Sequence, residues 1–249
     1  MGTITNKVSW YWPKEKLEFL KNEWKLSNKE IAEKINKHPK DVGDKRRALE
    51  LPLRECDAIS LTFLQKQLIY GSLLGDGSIA KGKDDKNCRF SETHSAKQKK
   101  YLLFKYKKLQ PYSGKFIEYP GRYGLEVKFS TKAHPIFNSF RKMFYAEDGR
   151  KIIKFPTLKQ ITHPLALAIW YGDDGSNDVW DCRLATAKYS IEEIKHLIKW
   201  LKITFKIESF LHKHGKYWYM SIRKDKPKFI RLIKPYLPKV MHYKLVLRI

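Results

Sequence analysis

The chain has 249 residues, with 51 Lys and Arg against 26 Asp and Glu and a formal net charge of +25. Its hydrophobic content of 42% is enough for a packed core, which excludes an intrinsically disordered chain. The charge excess is far larger than solubility requires, so it predicts a polyanionic partner, with nucleic acid first and an anionic membrane surface second. The longest apolar run, residues 165–172, is too short to span a bilayer, which takes about twenty residues.

The targeting and cysteine patterns point to a reducing compartment. Residues 1–20 contain no apolar signal-peptide stretch. Cys56, Cys88 and Cys182 are isolated and form neither a CxxC pair nor a zinc spacing, so we assign them to packing. We therefore expect a cytoplasmic protein, encoded by a bacterium or phage, or an organellar one, and not a secreted one.

The first 55 residues predict a small domain of three short helices. Ser27 and Glu30 have the spacing of a capping box at the start of a helix over 28–36. A third helix over 41–51 resembles the basic third helix that helix-turn-helix domains place on DNA. Its candidate DNA contacts are Lys45, Arg46 and Arg47. The alternative is a helical cap whose basic residues are only solvated.

The rest of the chain contains an internal repeat. Residues 69–77 (IYGSLLGDG) and 167–175 (LAIWYGDDG) are both apolar runs that end in an acid followed by Gly, and Asp76 and Asp174 are 98 positions apart. In each half the pattern predicts helix, two strands, helix, two strands and helix. The elements after the two acids are strands at 88–91 and 182–185, helices from Ser95 and Ser190, strands at 115–119, 125–131, 206–211 and 216–223, and helices at 136–145 and 229–237.

The charge follows this division of the chain. Residues 1–55 carry a net charge of +4, residues 56–154 carry +11 and residues 155–249 carry +10. We therefore predict an N-terminal helical domain over 1–55 and two related halves over 56–155 and 156–249. Two halves with near-equal positive charge indicate a pseudo-two-fold molecule.

The two acid-ended helices predict a metal centre. Gly71 and Gly75 in the first, and Ala168 and Gly172 in the second, are four residues apart and would let the helices pack closely. Their C-terminal ends would then meet and bring the two acids together, where mutual repulsion and the helix dipoles favour a hard divalent cation such as Mg²⁺. Such a pair suits phosphodiester cleavage. The alternative for a single copy is an ordinary helix C-cap, but the duplication favours the metal site.

Several segments resemble the LAGLIDADG homing endonuclease family in its single-chain, two-motif form. YGSLLGDG (70–77) and LAIWYGDDG (167–175) stand where the family motif stands. RFSETHSAKQKKYLLFKY (89–106), HPLALAIWYGDDGS (163–176) and FIRLIKPYLPKVMHYKL (229–245) resemble the family's post-motif strand and helix, second motif region and C-terminal segment. The resemblance covers residues 60–249. Because the chain starts with Met-Gly and does not close with His-Asn, we expect a free-standing or intron-encoded protein.

The resemblance implies an α+β fold of two αββαββα halves, with saddle-shaped antiparallel sheets that grip the DNA major groove. It implies that the last acids of the motifs, Asp76 and Asp174, are catalytic and bind metal, with Mn²⁺ able to replace Mg²⁺. Gly75 and Asp173, which precede them, rank lower as metal ligands. It also implies one basic catalytic residue in each half. These are Lys244 and, by pseudo-symmetry, Lys151, with Lys154 as second choice.

Two sets of residues remain less defined by the resemblance. The polar residue that orders the attacking water in the family falls in Ser91–His94 or Ala185–Lys188, and which residue acts is open. DNA contacts should come from alternate strand residues on one sheet face. The candidates are Lys81, Arg89, Ser91, Lys115, Arg122 and Lys128 in the first half, and Asn177, Trp180, Arg183, Lys213, Lys216, Tyr217 and Arg223 in the second.

We therefore predict a monomeric, Mg²⁺-dependent endonuclease that cuts double-stranded DNA at a specific site across the minor groove. The alternatives are an RNA maturase or a DNA-binding regulator that has lost cleavage on the same fold. The presence of both motif acids favours the enzyme.

Overall fold

The structure, a computed structural model, describes residues 11–52, 59–83, 85–122, 124–215 and 217–245. The chain divides into two compact units between Ser60 and Leu61. In the described ranges, no helix combines the length and the apolar character that crossing a bilayer requires. Cys56 and Lys216 lie outside the described residues.

The N-terminal unit contains three helices, as expected. They are α1 (Lys14–Asn22), α2 (Asn28–Ile35) and α3 (Pro39–Ala48). The capping box of Ser27 and Glu30 is present at the start of α2. The unit has its own core, to which each helix contributes. The buried side chains are Leu20, Ile31, Ala32, Ile35 and Val42.

One predicted DNA contact in this unit is wrong. Arg46 is fully buried, and its guanidinium donates hydrogen bonds to Asn28 Oδ1 (2.8 Å) and to the Trp24 carbonyl. It therefore ties α3 to the helix before it instead of facing a ligand. Arg47 is exposed beside Asp44, and Lys45 is half-buried with its ammonium over the Trp12 ring.

The second unit repeats one order of elements, which confirms the predicted α+β fold of two αββαββα halves. The first half consists of α4 (Phe63–Leu74), β1 (Ser78–Lys81), β2 (Cys88–Ser95), α5 (Lys99–Lys108), β3 (Ser113–Gly121), β4 (Gly124–Thr131) and α6 (Pro135–Phe144). A short helix α7 (Phe155–Leu158) leads to the second half. That half consists of α8 (Pro164–Asp174), β5 (Gly175–Asn177), β6 (Cys182–Leu184), α9 (Ile191–Trp200), β7 (Phe210–His214), β8 (Tyr217–Ile222) and α10 (Lys226–Ile233), followed by a 3₁₀ turn (Lys239–Lys244).

The two sheets have the same antiparallel topology. The strand order is β1-β2-β4-β3 in the first half and β5-β6-β8-β7 in the second. In β2 the side chains alternate, so that Phe90, Glu92 and His94 pack inward while Arg89 and Ser91 face outward. Each sheet therefore has one packed face and one face available for a ligand.

Two predicted elements are displaced along the chain. The strand expected at 206–211 is β7, which begins at Phe210, because α9 continues into a π-helical turn (Leu201–Phe205) that ends at Lys206 with a left-handed φ of 57°. The helix expected at 229–237 is α10, which begins at Lys226 because Pro227 fits the first helical turn. In both cases the local apolar pattern also fits an element that begins a few residues earlier or later, so the pattern alone did not fix where the element begins.

Helices α4 and α8 pack against each other in the centre of the second unit. A Cβ on Gly71 would lie 2.4 Å from the Ala166 carbonyl oxygen, so the helices approach closely at this glycine, as predicted. Gly172 has a different role, because a Cβ there would lie 2.4 Å from Tyr101 Oη. At the N-terminal end of α4, buried Gln67 donates to the Gln160 carbonyl (2.8 Å).

Candidate active site

The C-terminal ends of α4 and α8 bring the two motif acids into one centre. The backbone N–H of Asp76 points to Asp173 Oδ2 at 3.4 Å. The Lys188 ammonium joins the two motifs, because it donates to the Gly75 carbonyl (2.9 Å) and to Asp174 Oδ2 (3.1 Å). The Asp76 side chain is 41% exposed and that of Asp174 is 15% exposed. Burial raises the pKa of Asp174, and Lys188 opposes this shift.

Lys151 and Lys244 occupy equivalent places at the two helix ends. Lys151 Nζ donates to the carbonyls of Gly75 (3.0 Å) and Gly77 (2.7 Å). Lys244 Nζ donates to the carbonyls of Gly172 (2.7 Å) and Asp173 (3.0 Å). Each ammonium therefore satisfies carbonyls at the negative end of a helix dipole.

Compared with water, the environment of Lys151 and Lys244 shifts the balance from the charged ammonium towards the neutral amine. Burial lowers the pKa of Lys151 to about 8, and the neighbouring Lys188 contributes to the same shift. Burial also lowers the pKa of Lys244. Lys154, the second choice in the first half, is instead exposed and lines a separate cavity beside α6. The geometry therefore places Lys151, and not Lys154, at the motif end.

Asp173 has a buried carboxylate that the protein already engages. Its side chain is fully buried, and Oδ1 accepts hydrogen bonds from Tyr101 Oη (2.8 Å) and Lys105 Nζ (2.7 Å). Burial raises the pKa of Asp173 to about 7, against the opposing effect of Lys105. Its lower rank as a metal ligand fits this environment, because its side chain has no exposed surface, whereas those of Asp76 and Asp174 are partly exposed.

A charge chain of four side chains, Asp173, Lys105, Glu92 and His94, continues from this carboxylate. Lys105 pairs with Glu92 Oε1, and His94 Nε2 lies 2.5 Å from the same oxygen. Burial alone would raise the pKa of Glu92, but Lys105 and His94 lower it to about 2. Burial alone would lower the pKa of His94, but the hydrogen bond to Glu92 raises it. The charge chain ends at His94, whose Nδ1 lies 3.7 Å from Asp76 Oδ2.

The donor chemistry of this centre fits a hard divalent cation. The Gly75 carbonyl and Asp174 Oδ2 both lie next to Lys188 Nζ, and Asp76 is the residue that follows Gly75. Carboxylate and carbonyl oxygens of this kind are the ligands of Mg²⁺ and Mn²⁺. Ligand atoms of Asp76, His94 and Asp173 lie within 4.8 Å of one another. Of these, the Asp76 carboxylate is the exposed one, so Asp76 and Asp174 are the residues that would hold the metal, with the Gly75 carbonyl beside them.

Burial and strand register divide the candidate DNA contacts into three groups. On the outward sheet faces are Arg89, Ser91 and Lys128 in the first half and Arg183 and Tyr217 in the second. The second group pairs with residues of the packed sheet faces and so belongs to those faces. Its members are Lys81, Asn177 and Lys213. The third group is exposed and lies in β3, in turns or just after a strand. Its members are Lys115, Arg122, Trp180 and Arg223. The first group is the best placed to meet a duplex.

Several residues of this centre are not among the candidates that the sequence predicts. Lys188 and His94 lie in the two segments where the water-ordering residue was left open. Tyr101 and Lys105 are in α5, where a lysine-rich helix gave no sign that one lysine is buried. Only the contact of Lys105 with Asp173, 68 positions away in the sequence, shows that this lysine belongs to the centre.

Comparison with known proteins shows the family to which this chain belongs. Residues 66–229 match the family model described as the LAGLIDADG DNA endonuclease family. The chain belongs to the LAGLIDADG family. The match begins within the first motif helix and includes all of the second.

Two curated relatives match most of this chain. The cytochrome b mRNA maturase bI2 of Debaryomyces hansenii is 31% identical over 220 residues, which is 82% of this chain and 83% of the relative. The DNA endonuclease I-ChuI of Chlamydomonas applanata is 32% identical over 209 residues, which is 75% of this chain and 96% of the relative. The solved structure of the homing endonuclease I-WcaI bound to its DNA recognition sequence shares the fold, with a TM-score of 0.68, 24% identity, and coverage of 82% of this chain and 99% of that one.

Proposed function

We propose that this chain cleaves both strands of one specific DNA duplex at the centre formed by Asp76 and Asp174. Membership of the LAGLIDADG DNA endonuclease family and the similarity to the endonuclease I-ChuI support a site-specific DNA endonuclease that depends on a divalent metal. The observation that supports the residue assignment is that Lys188 links the ends of the two motif helices, so both acids belong to one centre. One chain supplies both halves of the site.

The outward faces of the two sheets would hold the DNA. Arg89, Lys128 and Arg183 lie there and can neutralise phosphates, so we expect affinity to fall steeply with salt. Arg183 is held in place by Asp181 (3.0 Å) and Asp178 (2.7 Å). The sheet faces would thus set the position of the duplex over the helix ends.

At the centre, Asp76 and Asp174 would hold Mg²⁺, with Mn²⁺ as a substitute. A bound divalent ion lowers the pKa of a water molecule and neutralises charge on the phosphate. Lys151 and Lys244 would place an N–H donor beside each scissile phosphate, where negative charge develops on the non-bridging oxygens. Their hydrogen bonds to helix-end carbonyls fix the position of each ammonium before DNA binds.

Replacing either lysine by Met should slow the chemical step. We expect Lys151→Met and Lys244→Met each to lower the single-turnover cleavage rate by about 10²-fold, because each removes one charged donor from the developing charge. Lys154→Met is the matched control and should stay close to wild type. Quench-flow cleavage and a parallel binding titration measure this. A loss of affinity alone would place both lysines among ordinary phosphate contacts.

Cleavage selection from a randomised duplex library tests the proposed activity. The library is incubated with the protein and Mg²⁺, with Mn²⁺, or with a chelator, and the cut ends are sequenced. We expect one enriched site cut on both strands in either metal and no cut with the chelator. A library that stays intact in both metals would contradict the endonuclease proposal.

An RNA maturase is the second candidate function, because the Debaryomyces hansenii relative carries that name. The two activities can be separated with the double variant Asp76→Asn/Asp174→Asn. A maturase would still promote splicing of its own intron RNA with these substitutions, whereas DNA cleavage would be lost. A regulator without cleavage is the weaker alternative, since both motif acids are present.

The N-terminal unit is proposed to add DNA affinity without setting the cleavage position. Removal of residues 1–60 should weaken binding and reduce its salt dependence by about one unit of slope for each phosphate that the unit neutralises. The cut positions should not change, because the acids belong to the second unit. Binding isotherms at several salt concentrations and mapping of the cut ends measure both. Equal affinity would assign this unit to another partner.

The domain boundaries at 55/56 and 155/156 can be tested by limited proteolysis. A cytoplasmic or organellar location can be tested by fractionation of the source cells.

A further inference from the structure

The charge chain is buried in the second unit and joins its two halves. The side chains of Asp173, Lys105 and Glu92 are fully buried, and that of His94 is 2% exposed. Asp173 comes from α8 in the second half, and the other three come from β2 and α5 in the first. Burying ionic groups costs free energy that pairing offsets only in part, and here each of the four side chains lies next to one of opposite charge.

Both ends of this charge chain contact Asp76. At one end, Asp173 Oδ2 faces the backbone N–H of Asp76 at 3.4 Å. The carboxylate also packs against the preceding residue, because a Cβ on Gly75 would lie 2.6 Å from Asp173 Oδ2. At the other end, His94 Nδ1 lies 3.7 Å from Asp76 Oδ2. The charge chain therefore contacts both the backbone and the carboxylate of Asp76.

The ring of His94 is itself held from two sides. Nε2 lies 2.5 Å from Glu92 Oε1, and Nδ1 lies 2.9 Å from Gln98 Oε1. Gln98 in turn donates from Nε2 to Tyr243 Oη at 3.3 Å. The orientation of the imidazole beside Asp76 is therefore fixed by groups of both halves.

The second half places different residues at the corresponding positions. Two residues after each acid, Ser78 pairs with Ser91 and Ser176 pairs with Arg183. By this register, Glu92 and His94 correspond to Leu184 and Thr186. Leu184 and Thr186 are both buried, and the Thr186 hydroxyl donates to the Trp218 carbonyl. The same fold is thus built in the second half with uncharged residues.

The two acids consequently have different neighbours. Asp76 has the ring of His94 at 3.7 Å, whereas Asp174 has the ammonium of Lys188, on its flexible stem, at 3.1 Å. A lysine side chain can move away when a substrate or metal arrives, but the His94 ring is anchored. The two halves therefore differ, because Asp76 lies beside an anchored ring and Asp174 is hydrogen-bonded to a flexible lysine.

We propose that Asp173, Lys105, Glu92 and His94 are positioning residues for Asp76, and that they support cleavage of one DNA strand more than the other. This inference rests on the proposed function and adds to it that Asp76 acts more on one scissile phosphate than on the other. Groups that orient a metal ligand typically change activity by 10- to 100-fold when they are replaced. Because Glu92 and His94 lie on the side of Asp76, their replacement should affect the two strands unequally.

Strand-resolved cleavage tests the proposal. The duplex found by library selection carries a different fluorophore on each strand, and single-turnover rates are measured for both strands with Mg²⁺. We expect Glu92→Gln and His94→Gln to slow the same strand by about 10- to 100-fold, while the other strand stays within about threefold. His94→Gln retains the Glu92–Lys105 pair, so it still gives a result if Glu92→Gln does not fold.

Gln67→Met is the matched control. Gln67 is a buried polar residue of helix α4, and its Oε1 accepts from the backbone N–H groups of Thr162 (3.1 Å) and His163 (3.2 Å). It lies at the end of α4 away from Asp76. Its replacement should lower thermal stability and leave the ratio of the two strand rates unchanged.

Three results would overturn the proposal. These are equal slowing of both strands by the folded variants, unchanged rates on both strands, or the same strand bias in Gln67→Met. Failure of the proposed function would give different results. In that case wild-type protein would cut neither strand, or the Asp76→Asn and Asp174→Asn variants would still cut. If wild type cuts and both Asn variants do not, an unbiased Glu92→Gln contradicts only the positioning role.

Discussion

Asp76→Asn and Asp174→Asn will each lower double-strand cleavage by at least about 10²-fold while DNA binding is kept. Each substitution exchanges a carboxylate for a neutral amide at the centre, which weakens the hold on a hard divalent cation. The loss should exceed the 10- to 100-fold typical for groups that only orient a ligand. Plasmid linearisation with Mg²⁺ and a gel-shift titration measure the two properties separately.

Binding should survive because the positive charge lies elsewhere. The basic residues of the outward sheet faces are unchanged in both variants, and removal of an acid lowers the repulsion of DNA phosphate. Asp44→Asn is a useful control, since Asp44 pairs with Arg47 on the surface of the N-terminal unit. A double Asn variant that still linearises plasmid at the wild-type rate would exclude these acids from the reaction.

Gly71→Val will destabilise the second unit by about 3 kcal/mol. A Cβ at this position would lie 2.4 Å from the Ala166 carbonyl oxygen and 2.9 Å from Ile169 Cβ. A backbone oxygen cannot rotate away, so α4 and α8 must separate, and overpacking of this kind typically costs about 1–3 kcal/mol and occasionally more. Denaturant unfolding, read as a shift of the midpoint at constant slope, measures the change.

The neighbouring residue gives the control for this effect. Ser72 is also fully buried in α4, and among the described residues its hydroxyl has no hydrogen-bond partner. Ser72→Ala should therefore be neutral or stabilising, within about 1 kcal/mol, because an unpaired buried hydroxyl is removed. If Gly71→Val were as stable as Ser72→Ala, the close approach of the two helices would not constrain this interface.

Local patterns were sufficient to predict much of the fold. The predicted capping box of Ser27 and Glu30 starts a helix in the structure, and so does Ser190, where Glu193 completes a further capping box. The repeat of acid-ended apolar runs located the central helix pair. The resemblance to the LAGLIDADG family pointed to Lys244 and, through the pseudo-symmetry of the halves, to Lys151, and both lie at the helix ends. These features are encoded over short stretches or repeated in the sequence, so one sequence is enough to detect them.

Long-range contacts could not be predicted in the same way. Glu92 belongs to an alternating strand and Lys105 to a basic helix, and either residue would be interpreted as solvated without knowledge of the fold. Their burial depends on Asp173, which the other half contributes. Arg46 shows the same problem, because a basic residue on a short helix is buried by contacts with Trp24 and Asn28.

The outward faces of the two sheets have consequences for the symmetry of the target. A homodimer presents identical side chains to both half-sites and therefore selects a palindrome. Here one face presents Arg89, Ser91 and Lys128, while the other presents Arg183 above the ring of Tyr219. Since both faces are encoded in one chain, each can change independently of the other. The selected duplex should therefore have left and right half-sites of unrelated sequence, and a palindrome built from either half alone should be a poor substrate.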